Sequence, residues 1–172
     1  GLPGVRHLSD GTVTLPCLLL AGYPFDGALP PAVAAVAAAA PAGVPLKGQL
    51  AGPLTLALFS RLPDGRRCID DLAARTALAR PLALAAAAYA DALAQTGGAP
   101  VLFLDEPALP VAAALLGRAE ALRLLNLVLG ALPGVVRGVH CCAEPPLDLL
   151  AELPLRGVSI DAHRYEIGRA HV

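Results

Sequence analysis

Val101-Leu102-Phe103-Leu104-Asp105-Glu106-Pro107 decides how the chain is read. Four apolar residues run without a break into two carboxylates and a proline. A short run that is apolar on both faces suits a strand of a parallel sheet covered on both sides. The proline stops the strand, and the carboxylates fall at its carboxyl end.

Outward from this strand the pattern repeats. Downstream, Val111 to Leu132 predicts a helix ended by Pro133-Gly134. The run Gly134 to Val139 predicts a strand that leads into His140, Cys141 and Cys142. Pro145 to Leu153 predicts a short helix, and Val158-Ser159-Ile160 a last strand ending at Asp161. Upstream, Ile69 to Gln95 predicts a long helix with Asp70 and Asp71 near its start, where carboxylates suit the dipole. Pro81 is expected to kink or split it, and Gly97-Gly98 to stop it. Val44 to Leu50 predicts a strand, broken by Ala51-Gly52-Pro53. Leu54 to Ser60 predicts a helical turn, Arg61 to Arg67 a loop, and Ala32 to Ala40 a helix between prolines. Thr12 to Ala21 is strand-like, with Pro16 placing it at an edge.

Strands alternating with helices are the signature of parallel βα units. Asp105 and Glu106, His140 and Cys142, and Asp161 each fall at the carboxyl end of a strand, the functional end in doubly wound sheets and in TIM barrels. No Gly-x-Gly-x-x-Gly opens a helix, which removes support for a dinucleotide site. The predicted fold class is therefore α/β, a partial TIM (β/α)8 barrel of parallel strands. The 172 residues cover roughly the middle four βα units of a fold that typically takes about 250.

Composition narrows the function. The chain is 56% hydrophobic and 16% charged, with a net charge of −1, which argues against a nucleic-acid surface. The alanine-rich stretches are interrupted by prolines and hold no run of about 20 strongly apolar residues, so no membrane span is predicted. No leader pattern opens the chain, and four cysteines are too sparse for a disulfide scaffold. A cytoplasmic protein is expected.

The chain contains no methionine, so Gly1 is not expected to be a natural start. Glu166-Ile167-Gly168-Arg169-Ala170-His171-Val172 is encoded by AG ATC GGA AGA GCA CAC GTC once one base is supplied in front, which reads as a translated sequencing adapter. Residues 1–165 are predicted to be a partial catalytic barrel, and 166–172 a non-native tail.

On a strand, side chains alternate between faces. His140 and Cys142 would then point one way and Cys141 the other. An imidazole and a thiolate on one face are half of a tetrahedral zinc site. The alternative is a pair of buried cysteines beside a hydrogen-bonded histidine.

Four segments together resemble the cobalamin-independent methionine synthases. Leu46-Lys47-Gly48-Gln49-Leu50-Ala51-Gly52-Pro53-Leu54-Thr55 resembles their K-G-x-x-x-G-P-x-T segment. Leu104-Asp105-Glu106-Pro107-Ala108-Leu109 resembles D-E-P-A-L. Val139-His140-Cys141-Cys142 resembles the H-x-C zinc motif, and Ser159-Ile160-Asp161 falls where the family has a strand ending in its third, carboxylate ligand. The segments keep the family's order over most of residues 44–161.

The resemblance implies a zinc-dependent methyltransferase acting on a thiol such as homocysteine. Zn2+ would be held by His140, Cys142 and Asp161, a donor set that suits this metal. It would keep the acceptor as thiolate at neutral pH. The implied partners are a small-molecule thiol and a methyl donor, folate or corrinoid. Asp105 matches the carboxylate that holds the substrate's ammonium group. Glu106, beside it, shares the substrate-binding assignment, or points into the sheet as a structural group.

The chain also departs from the family. Asp161 stands where Glu is usual, Phe59 where folate-dependent members have tryptophan, and Val111 where they have an acid. The family's fourth ligand, a later cysteine, has no counterpart in Cys17, Cys68 or Cys141. Two further readings stay open: a uroporphyrinogen-decarboxylase-like lyase that needs no metal, and an inactive truncated barrel. Asp105 as a turn cap and Asp161 as a solvated strand end are the plain alternatives at those positions.

Overall fold

The computed structural model describes residues 31–161, together with Leu29 and two short strands near the amino end. His163, Cys17 and the predicted tail 166–172 lie outside the described residues, as does most of the run from Thr12 to Ala21.

In chain order the described elements are β1 (Arg6–His7), β2 (Val13–Thr14), α1 (Pro31–Ala39), β3 (Lys47–Ala51), α2 (Pro53–Phe59), β4 (Ser60–Arg61), a 3-10 turn (Cys68–Asp70), α3 (Leu72–Ala94), β5 (Val101–Asp105), α4 (Leu109–Leu116), α5 (Arg118–Leu129), β6 (Val136–Cys141), α6 (Leu147–Leu150) and β7 (Gly157–Ile160). Strands β3, β5, β6 and β7 form one four-stranded sheet in that order. Every pair in it is parallel, as the βα alternation predicts. A smaller sheet joins β1 to β2 antiparallel and β2 to β4 parallel.

Alternation along the strands separates two faces. Leu102 and Leu104 of β5 and Val139 and Cys141 of β6 are wholly buried against the helices. Phe103, Asp105 and His140 point to the other face and stay half-buried. Helix α5 shows why it lies on the core side: Ala121, Leu124, Leu125, Val128 and Leu129 recur at helical spacing and are all buried. In α3, Ala79, Ala83, Ala86 and Ala90 form a buried stripe of small side chains. Gly48 of β3 lets α3 approach the sheet closely. A Cβ there would meet the Tyr89 ring at 2.8 Å and Leu93 at 2.9 Å.

Three expectations need correction. Pro81 does not split the long helix; α3 runs unbroken from Leu72 to Ala94 with the proline inside it. Burial on both sides, Leu78 and Ala79 before it and Tyr89 and Leu93 after it, outweighs the backbone hydrogen bond a proline forfeits. The expected helix from Val111 to Leu132 is two helices. Gly117 breaks it with φ 81 and ψ 155, a conformation open to glycine and costly for other residues. Within the expected loop from Arg61 to Arg67, Arg61 instead belongs to β4 and bridges Arg67.

Helix α3 is long and apolar enough to cross a membrane by length and composition. Here it instead packs its alanine stripe, Tyr89 and Leu93 into the core around the parallel sheet.

Candidate functional site

The carboxyl ends of the four parallel strands lie side by side. Ala51 pairs with Asp105, Asp105 with His140, and His140 with Ser159. One row across the sheet therefore carries a carboxylate, an imidazole and a hydroxyl on successive strands, about 4.8 Å apart. The next pair in register is Cys141 with Ile160, and Cys142 and Asp161 each follow immediately.

Asp105 accepts a hydrogen bond at Oδ1 from Gln49 Nε2, 2.7 Å away. The two residues share a sheet face because Gln49 lies one alternation step below Ala51 on β3. The backbone carbonyl of Asp105 accepts from the N–H of Gly52 at 2.8 Å. Below this layer, the ammonium of Lys47 lies over the Phe103 ring, 4.2 Å from its centroid. The Phe103 ring in turn covers Gly138. A Cβ at Gly138 would collide with it, and one at Gly157 would press on it at 3.3 Å. Two glycines thus make the flat floor on which this aromatic ring lies.

Glu106 points the other way and is wholly buried. Its Oε1 accepts from the backbone N–H of Leu54 at 2.9 Å. Its Oε2 accepts from the N–H of Thr55 at 2.7 Å and from the Thr55 hydroxyl at 2.6 Å. It is the cap of α2, satisfying donors that a helix start leaves without partners. The backbone N–H of Glu106 donates to the carbonyl of His140 at 2.8 Å. Burial pushes its carboxyl up to about 7, against hydrogen bonds that pull it down. Of the two acids assigned to substrate, Asp105 is on the accessible face and Glu106 is inside the fold.

His140 Nδ1 lies 3.0 Å from Ser159 Oγ. An N–H at Nδ1 donating to that hydroxyl leaves Nε2 as the nitrogen that can bind a metal. Such a partner on the far ring nitrogen is common behind metal-bound histidines. Cys141 is buried, its Sγ donating to the carbonyl of Ala143 at 3.5 Å, and burial raises its thiol. This places Cys141 on the face opposite His140, as alternation predicts. Cys142 needs a correction. Strand β6 ends at Cys141 and Cys142 lies in the bend beyond it, so strand alternation does not set its direction. It is a free, half-buried thiol. Asp161 is likewise one residue past the end of β7.

His140, Cys142 and Asp161 stand at neighbouring strand ends and are donor types that zinc accepts. Their side chains do not gather in this conformation: among the described residues, no three of His, Cys, Asp and Glu are grouped around one point. Reading the residues alone also missed Gln49, Thr55 and Ser159. Ser159 and Gln49 lie on the same faces as their partners, but only the register of the folded sheet pairs them. Thr55 contacts Glu106 across 51 residues of sequence, and only the fold brings them together.

Models of known protein families give no match to this chain, and neither do curated proteins.

Proposed function

We propose that the parallel sheet is an arc of a (β/α)8 barrel and that the row at its carboxyl end is the site of a zinc-dependent thiol methyltransferase, similar to the cobalamin-independent methionine synthases. The observation that carries this reading is the register Asp105–His140–Ser159 on one face. A second support is the interlock of two resembling segments. Gly52 and Thr55 from one meet Asp105 and Glu106 from the other.

Each residue then has a task. Asp105 takes the ammonium group of an amino-acid thiol and fixes its distance from the reacting sulfur. Ser159 holds the His140 ring in one orientation. Glu106 holds the start of α2 against the strand ends and keeps the backbone around Asp105 in place. His140, Cys142 and Asp161 would hold zinc, which supplies charge that keeps an acceptor thiol deprotonated at neutral pH. The acceptor sulfur forms a bond to the methyl carbon as the bond from that carbon to its donor breaks, and the electron pair leaves with the donor.

The test is product formation. Zinc-loaded protein, L-homocysteine and a methylated folate or methylated corrinoid are incubated together, and methionine is measured. Methionine that depends on zinc and falls at least a hundredfold in Asp105→Ala supports the proposal. No thiol methylation with either donor, together with no thiol binding by the zinc-loaded protein, overturns it.

A further inference from the structure

Asp105 stands at the carboxyl end of β5, half-buried on the open face of the sheet. Among the described residues no basic side chain forms an ion pair with it. The chain's single lysine, Lys47, has its ammonium over the Phe103 ring. Among the described residues the Asp105 carboxylate has one side-chain donor, and it is neutral: the Gln49 amide, donating to Oδ1 at 2.7 Å. Gln49 is exposed, so this bond is not needed to satisfy a buried group. Its direction is fixed by chemistry, since an ionised carboxylate only accepts.

A neutral donor does what a lysine or arginine at that position would not. It occupies one oxygen without neutralising the carboxylate and leaves the other oxygen open to a cation. It also fixes the carboxylate plane, because the contact runs diagonally from the lower residue of β3 to the end of β5. We infer that Gln49 is a positioning residue that aims Oδ2 of Asp105 at the ammonium of the substrate and so selects amino thiols over thiols without an amino group. The inference rests on the role proposed for Asp105 above.

The test compares two probes on the zinc-loaded protein by calorimetry: L-homocysteine and mercaptobutyrate, the same chain without the amino group. Wild type should prefer L-homocysteine by about tenfold or more, as one charge-assisted contact allows. Gln49→Leu should bring the two affinities within about twofold while its thermal melt and its affinity for mercaptobutyrate stay at wild-type values. Gln49→Asn, too short to reach Oδ1, should behave the same way and serves if the leucine variant does not fold. Either folded variant keeping the full preference overturns the inference. So does an equal loss for both thiols, which marks a merely structural residue. A wild type that does not distinguish the probes overturns the role of Asp105 itself, a result separate from the other two.

Discussion

Gly52 and Glu106 share one space: a Cβ on Gly52 would collide with the Glu106 carboxylate. The glycine is required by this close approach and not by a turn. It lets the acid sit directly under the first turn of α2 and accept from Leu54 and Thr55. Gly52→Ala should therefore destabilise the fold by about 1–3 kcal/mol, the usual cost of forcing extra atoms into a packed site. Urea unfolding checks this, and a wild-type midpoint would show that the helix start yields freely.

Glu106 should also make stability depend on pH. Its carboxyl is raised from an ordinary 4.5 to about 7, chiefly by burial. The folded state then holds a proton that the unfolded state releases between those values. A raised folded value means that this contribution is complete below about pH 4.5 and is lost as pH rises to about 7. Thermal melts between pH 5 and pH 8 should show a decline that Glu106→Gln flattens. The glutamine should cost about 1–3 kcal/mol at low pH, because its amide nitrogen faces backbone N–H groups that need an acceptor.

A second titration has the opposite sign. Glu120 accepts from Arg75 at 2.7 Å and from Arg123 at 2.6 Å, joining α3 to α5. The Arg123 hydrogen bond, then that of Arg75, against desolvation, takes its carboxyl down to about 2. That stability is present above about pH 4.5 and is lost as pH falls toward 2. Arg75→Ala should cost more than Arg123→Ala. Only 13% of the Arg75 side chain is exposed against 40% of Arg123, and exposed pairs contribute about 0–1 kcal/mol. Denaturation of the two variants at neutral pH checks the order.

The cysteines should differ in reactivity. Burial pushes the Cys68 thiol up to about 11 and raises Cys141 as well, while Cys142 is only half-buried. Among the described cysteines, alkylation of the native protein at neutral pH, mapped by mass spectrometry, should label Cys142 first and leave Cys68 and Cys141 until the protein unfolds. Labelling of Cys141 ahead of Cys142 would contradict the faces described for β6.

Much of this architecture was legible in the residues. The unbroken apolar run before Asp105 read directly as a buried parallel strand. The alternation Val139, His140, Cys141 placed the imidazole and the buried thiol on opposite faces. Glu106 lies one residue past the end of β5, so its divergence from Asp105 comes from the fold and not from alternation. The break at Gly117 was less legible because one glycine inside a helical pattern is ordinarily tolerated. Gln49 and Ser159 were not legible as partners of Asp105 and His140. Those contacts depend on register between strands 56 and 19 residues apart in sequence. Cys142 fell just outside the strand that the pattern predicted, where the periodicity argument stops.

The most direct measurement is zinc stoichiometry by competition with a chromophoric chelator at neutral pH. The account predicts one zinc per chain in the wild type, tight enough to survive the chelator, and at least a tenfold loss of affinity in Cys142→Ala and in His140→Ala. Ser159→Ala should give a smaller loss through the histidine it orients. A wild-type protein that takes up no zinc, or variants at residues 140 and 142 that bind it as tightly as wild type, would contradict the account.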